Sequence, residues 1–249
     1  MSDYFNDTHE QVRQSARKFV ATHVLPYIDD WEEAGEFPRE LYKTAGEAGL
    51  LGVGFPESLG GIGEGDIFMK VAVSEELMRS TSGGLVAGLG SLDIGLPPVA
   101  KWAQQDVKAA IVPPVLRGEK IAALAVTEPG GGSDVAGIRT TAVRDGDHYV
   151  VNGAKTFITS GTRADFVTTA VRTGGPGHAG VSLLVVEKGT PGFTVDRALT
   201  KMGWHCSDTA QLSYVDVRVP VENLVGPLNG GWKVANGSLG HERTMMWLG

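Results

Sequence analysis

The sequence predicts an α+β chain of unlike domains. A helical N-terminal domain over residues 1–120 is followed by an antiparallel β-barrel or sandwich over 121–228 and the start of a C-terminal helical bundle over 229–249. Three observations carry this reading. Apolar residues recur at three- and four-residue spacing as far as residue 120, then at two-residue spacing. Glycine, 35 of 249 residues, gathers in short clusters that separate the period-two segments. Helical spacing then resumes beyond Pro220.

In chain order, Asp7 with Glu10 reads as a capping box, after which Val12, Ala16 and Phe19 fall on one helical face. Phe37-Pro-Arg-Glu40 starts a second helix with Leu41, Ala45 and Ala48 inward and Gly49 closing it. A third starts at Asp66 and runs through Ile67, Val71 and Met78. Residues 83–96 are apolar and nearly uncharged, as in a helix buried on most sides. Asp106 caps a short helix that Pro113-Pro114 should stop. In the second domain, 140–144 and 147–152 form a hairpin around Asp145-Gly146. Residues 157–160, 166–173, 181–187, 194–197 and 211–219 are further strands with no helix between them, which favours a sandwich or small barrel. The last helical pattern starts at Gly231-Trp232 and carries an apolar Met245-Met-Trp-Leu248 face.

Composition excludes several functions. A net charge of −7 with no basic cluster argues against a nucleic-acid partner. The longest apolar runs, such as 121–126, reach about six residues, where a membrane span needs roughly 20. One cysteine, Cys206, and an acidic N-terminus with no apolar leader fit a cytoplasmic protein. Cys206 beside His205 reads as a buried, inert thiol. The six histidines lack ligand spacing, so no metal site is expected.

The segment Thr127-Glu-Pro-Gly-Gly-Gly-Ser-Asp134 carries the strongest chemical signal. Three glycines between a strand and hydroxyl side chains can form a concavity of backbone N–H groups for an anion such as a pyrophosphate. The same residues also suit a plain glycine turn. It is no dinucleotide fingerprint, since no GxGxxG is present, and Gly153-Ala-Lys-Thr156 lacks the pattern of a phosphate-binding P-loop. Ser15-Ala-Arg-Lys18 matches SxxK on a first amphipathic helix with no partner motif.

With these residues in view, the chain resembles the acyl-CoA dehydrogenase family of flavin enzymes. Pro56-Glu-Ser-Leu-Gly-Gly-Ile-Gly63, the Thr127–Asp134 segment, Asn152-Gly-Ala-Lys-Thr-Phe-Ile-Thr-Ser160 and Lys201-Met-Gly-Trp-His-Cys-Ser-Asp-Thr209 occur in the family's order and spacing. The resemblance covers the whole chain but only the first two domains of a usual member and the start of the third. It implies FAD as cofactor, with Val126 and Thr127 bonding the isoalloxazine edge and Thr159 near flavin N5. Phe157 would lie against the ring, where the family usually has Trp, and Gly132 and Ser133 would contact the pyrophosphate. Leu124 stands where an aromatic residue is frequent. Ser133 and Arg243 would contact the acyl-CoA substrate. Glu242, just before Arg243, matches the position that a subset of the family uses for its catalytic base.

The implied reaction is α,β-dehydrogenation of an acyl-CoA in fatty-acid β-oxidation. A Glu takes the α-proton and the β-hydride passes to flavin N5. The implied partners are an electron-transferring flavoprotein and sister subunits in a homotetramer or heterotetramer. Bundle residues that would hold the FAD adenosine lie beyond this sequence. Two other readings stand beside this one: an acyl-CoA oxidase or flavin monooxygenase on the same fold, and a non-catalytic flavin- or CoA-binding subunit that needs a partner.

Overall fold

The computed structural model describes residues 4–63 and 65–246, with their side chains except those of 238, 239 and 241–246. Helix α1 (Asp7–His23) begins at Asn6, whose side chain accepts the His9 N–H while the His9 ring accepts the Asn6 N–H. The cap is therefore Asn6 with His9, not Asp7 with Glu10. The two carboxylates lie in the first turn, where the helix dipole favours them. Helix α2 (Ile28–Ala34) leads to α3 (Glu40–Glu47), which buries Leu41 and Ala45. Helix α4 (Ile67–Met78) starts where expected, with Asp66 accepting the Phe68 N–H.

The single helix expected over 83–96 is two, α5 (Gly83–Leu89) and α6 (Leu92–Gly95). The break brings the Ser91 hydroxyl 3.1 Å from the Ala122 carbonyl, a long-range contact that local spacing cannot foretell. Helix α7 (Pro97–Trp102) follows, then α8 (Gln105–Leu116), whose N-cap is Gln104 with Asp106 in the first turn. Helix α8 runs through Pro113 and Pro114 rather than stopping at them. The missing N–H bonds fall near its end, and burial of Ile111, Val112, Val115 and Leu116 outweighs their loss.

Eight strands follow: β1 (Ala122–Ala125), β2 (Thr141–Asp145), β3 (His148–Thr159), β4 (Phe166–Arg172), β5 (Val181–Glu187), β6 (Phe193–Ala198), β7 (Thr209–Pro220) and β8 (Leu224–Val225). They pair in the order β6-β7-β3-β2-β4-β5-β8, with β1 on β4, so the sheet is open and folds as a sandwich, not a closed barrel. The pairing is mixed, since β1 and β2 both run parallel to β4. The β2–β3 hairpin turns on Gly146-Asp147, one residue later than expected, with Gly146 at φ +63°. Strand β3 is unbroken across residues 153–156, joining the separate strands expected over 147–152 and 157–160. A long ladder with β7 carries it through. Gly153 is required there: a Cβ would lie 2.5 Å from Thr140 Oγ1.

Helix α9 (Gly231–Met246) returns to the sheet, and a Cβ on Gly231 would come within 2.6 Å of the Ser182 backbone. The two domains share one core, in which Gly95 of α6 lies against the Ala123 backbone of β1. Among the described residues no single helix is long and apolar enough to cross a membrane.

Candidate active site

Strand β1 ends at Ala125 and delivers Val126 and Thr127 to the edge of the sheet. The Thr127 carbonyl accepts the Thr156 N–H of β3 at 3.0 Å, which joins the two segments the motifs singled out. The glycine turn then folds back: Glu128 and Gly131 pair across it, and a Cβ on Gly132 would meet Thr127 Cγ2 at 3.3 Å. Gly130 and Gly131 have open space where a side chain would be, and Ser133 is exposed. Asp134 closes the turn by accepting the Gly137 N–H at 3.1 Å.

One residue beyond Thr156, β3 bulges. Three steps from Lys155 to Ile158 face two steps from Leu212 to Ala210 on β7. The extra residue is Phe157, at φ +59° and 67% exposed. A left-handed aromatic residue in a strand costs about 1–3 kcal/mol of strain, and a ring presented to solvent recovers none of it within the chain. Thr159, two residues on, is half-buried, as is Thr127. Among the described residues no hydrogen bond engages either hydroxyl or the Thr127 N–H, so unspent donors flank an exposed ring. The arrangement suits a planar ligand with hydrogen-bonding edges and an attached anion.

Beneath it lies a pair that sequence reasoning missed. Lys155 is fully buried, and its Nζ donates to Glu128 Oε1 at 2.8 Å and to the Val126 carbonyl at 3.0 Å. Glu128 also accepts the backbone N–H groups of Arg139 at 2.8 Å and Thr140 at 2.9 Å. Burial alone would raise the Glu128 carboxyl, but the bonds from Lys155, Thr140 and Arg139 hold it below its ordinary range. Burial pulls the Lys155 ammonium down to about 8, against the pull of Glu128. Both groups are therefore charged at neutral pH. The signal for Lys155 was available: it falls in phase with inward Tyr149 and Val151 on a period-two strand.

The loop 201–208 is tied to the helical domain. Glu32 accepts the His205 N–H at 2.9 Å and the Cys206 N–H at 3.3 Å, and also bonds the Ser82 hydroxyl. Cys206 is buried, as expected, and burial pushes its thiol up to about 11. Trp204, at φ +57°, remains exposed.

Two clefts among the described residues bear on the site. One of about 320 Å³ lies along the glycine turn from Glu128 to Gly131. The larger, about 590 Å³, is bounded by α4, α6, α7 and α9 and holds a Lys70–Asp93 ion pair of 2.5 Å. Pro56 of the first motif lines the larger one, whereas Thr127, Phe157 and Thr159 do not. Gly237 of α9 forms part of its wall, and α9 continues toward Glu242 and Arg243. The side chains of those two, and the Met245-Met-Trp-Leu248 face, lie outside the described residues.

Known proteins match this arrangement along the chain. The family model "Acyl-CoA dehydrogenase, N-terminal domain" matches residues 6–119, and "Acyl-CoA dehydrogenase, middle domain" matches residues 123–217. The chain belongs to the acyl-CoA dehydrogenase family. It is 40% identical over 246 residues to the mitochondrial long-chain specific acyl-CoA dehydrogenase of Rattus norvegicus, covering 97% of this chain and 56% of the rat protein. A Mycobacterium smegmatis structure assigned to the acyl-CoA dehydrogenases superposes with a TM-score of 0.96 at 53% identity, covering 99% of this chain and 65% of that one. The acyl-CoA dehydrogenase of Bacillus anthracis, solved in complex with FAD, matches with a TM-score of 0.91 at 33% identity, covering 100% of this chain and 42% of that one. The chain thus spans somewhat over half the length of the rat protein.

Proposed function

We propose that this chain forms the N-terminal and middle domains of an FAD-dependent acyl-CoA dehydrogenase acting on a fatty acyl-CoA. The observation that carries the reading is the left-handed Phe157, exposed on a bulge beside two threonines whose hydroxyls have no hydrogen-bond partner among the described residues. The residues present fit FAD. Thr127 and Thr159 would hydrogen-bond the isoalloxazine edge, with Val126 alongside, and Phe157 would lie against the ring. Gly132 and Ser133 would take the pyrophosphate, because the open glycine turn leaves room for a phosphate against backbone N–H groups.

When bound, FAD supplies the acceptor for the β-hydrogen, which leaves as hydride to N5. The chain's own part is to orient, exclude water and move one proton. Glu242 would take the α-proton of the thioester, and Arg243 and Ser133 would hold the CoA moiety. Electron-transferring flavoprotein is the partner proposed to receive the electrons, and a tetramer is the proposed assembly.

The test is Glu242→Gln in protein of natural length. With FAD loaded, the single-turnover reduction of flavin by an acyl-CoA should fall by about 10²–10⁴ while the substrate still binds, the loss expected for a general base. Near-normal bleaching would move the base elsewhere. Turnover that consumes oxygen would favour an oxidase on the same fold.

A further inference from the structure

We propose that Lys155 is a positioning residue that polarises the Val126–Thr127 peptide toward the flavin, and so tunes the cofactor's affinity and reduction potential. The proposal rests on the FAD reading above. It starts from a bond that the Glu128–Lys155 ion pair does not need. One contact at 2.8 Å neutralises Glu128, yet the same ammonium also reaches the Val126 carbonyl at 3.0 Å, and it does so with no solvent exposure.

The peptide unit is planar and trans, so the Val126 C=O and the Thr127 N–H point in opposite directions from one dipole. A cation on the oxygen draws electron density from the nitrogen and strengthens the N–H as a donor. Chains of hydrogen bonds reinforce one another in this way by about 10–30% per bond, and more weakly screened interiors favour the effect. The Thr127 N–H has no partner among the described residues. The Thr127 carbonyl is occupied by Thr156 N–H, which fixes the next peptide as well. The ammonium is itself fixed. Its counter-ion Glu128 is anchored by two backbone N–H groups on the far side, from Arg139 and Thr140. Lys155 also lies two residues before Phe157, so its burial pins the start of the bulge that presents the ring. One buried side chain therefore sets both edges of the site. Reduced flavin carries more electron density on its ring edge than oxidised flavin, so a stronger donor there favours the reduced form.

A structural ion pair and a tuning residue are separable. Lys155→Met alone leaves Glu128 buried and unpaired, which confounds the two. The Glu128→Gln/Lys155→Met double variant removes both charges and keeps the shape, and Glu128→Gln/Lys155→Gln removes both charges but retains a neutral donor. Each is made in protein of natural length. Melting midpoint, FAD dissociation constant and two-electron midpoint potential are then compared with wild type. The Lys155→Met double variant should melt near wild type, yet bind FAD at least tenfold more weakly. Its reduced form should be disfavoured by a similar factor, which for two electrons is about 30 mV more negative. Glu128→Gln/Lys155→Gln should fall between. A folded Lys155→Met double variant with wild-type affinity and potential overturns the proposal. So does failure of both variants to fold, which would make Lys155 a residue of the fold alone. Wild-type protein that holds no FAD would instead sink the cofactor reading and leave the two failures distinct.

Discussion

Glu76 holds α1 and α4 together, and its removal should cost stability in a pH-dependent way. It is 3% exposed and receives a two-pronged bond from Arg17, with Nη2 at 2.7 Å and Nε at 3.1 Å. Arg79 lies 3.5 Å away and Arg13 4.0 Å. The Arg17 hydrogen bond is the main reason the carboxyl is held below its ordinary range. Burial opposes this, and the charges of Arg17, Arg79 and Arg13 add to it. Glu76→Gln keeps the shape and one acceptor oxygen but loses the charge. Bonds to a charged group contribute about 1.5–3 kcal/mol each, and the half-exposed Arg17 recovers part of this from water, so a loss of about 2 kcal/mol is expected at pH 7.5. Because the folded carboxyl binds its proton more weakly than the unfolded one, the contribution is complete above the ordinary value of 4.5. It is lost as pH falls below that value toward the folded one. The stability gap between wild type and variant in denaturant titrations should therefore be full at pH 7.5, begin to narrow near 4.5 and close only once the pH is below the folded value. Equal stability at pH 7.5 would refute the argument, and a gap unchanged through the acid range would assign the effect to packing instead of charge.

Two further outcomes follow from the same contacts. Ser133→Ala, in protein of natural length, should weaken FAD retention by roughly 10- to 100-fold in a fluorescence titration, the worth of one bond to a phosphate. Glu32→Ala should strand the N–H groups of His205 and Cys206 at a cost of about 1–3 kcal/mol in denaturant unfolding. It should also expose Cys206, so that a thiol reagent that leaves wild type unlabelled at pH 7.5 labels the variant.

What the sequence made legible was whatever rests on local chemistry. Asp66 caps α4 and the 181–187 strand lies where its bounds were drawn, because a cap and a period-two run are decided by neighbours in the chain. Several of the misreadings trace to distant contacts. His9 completes the α1 cap while its other ring nitrogen lies 2.9 Å from Asp66, a residue on another element. The break at Ser91 answers a carbonyl of β1. Pro113 and Pro114 stay helical because four apolar neighbours are buried. At the site, the motifs singled out Thr127, Phe157 and Thr159, and the two-residue period marks Lys155 as inward, but nothing local names its partners, which lie 27 and 29 residues back.

The site belongs to the β domain by sequence and to both domains by mechanics. Strand β1 has four residues and among the described strands pairs with β4 alone, too little to fix the direction in which Val126 and Thr127 leave it. The helical domain supplies the rest. Gly95 of α6 brings its helix against the Ala123 backbone at a distance no side chain would permit, and the Thr168 hydroxyl of β4 bonds the Gly95 carbonyl at 2.8 Å. Ser91 bonds Ala122 on one side and receives the Ser160 hydroxyl at 3.0 Å on the other. Ser160 directly follows Thr159, so one serine of the helical domain ties together the start of β1 and the end of β3. Those are the two segments that carry Thr127 and Thr159. All three hydroxyls are buried, where an unmade bond costs about 1–3 kcal/mol, so each resists a sliding of one domain over the other. The distance between the two threonines is thus set by the packing of α6 on the sheet as much as by the sheet itself.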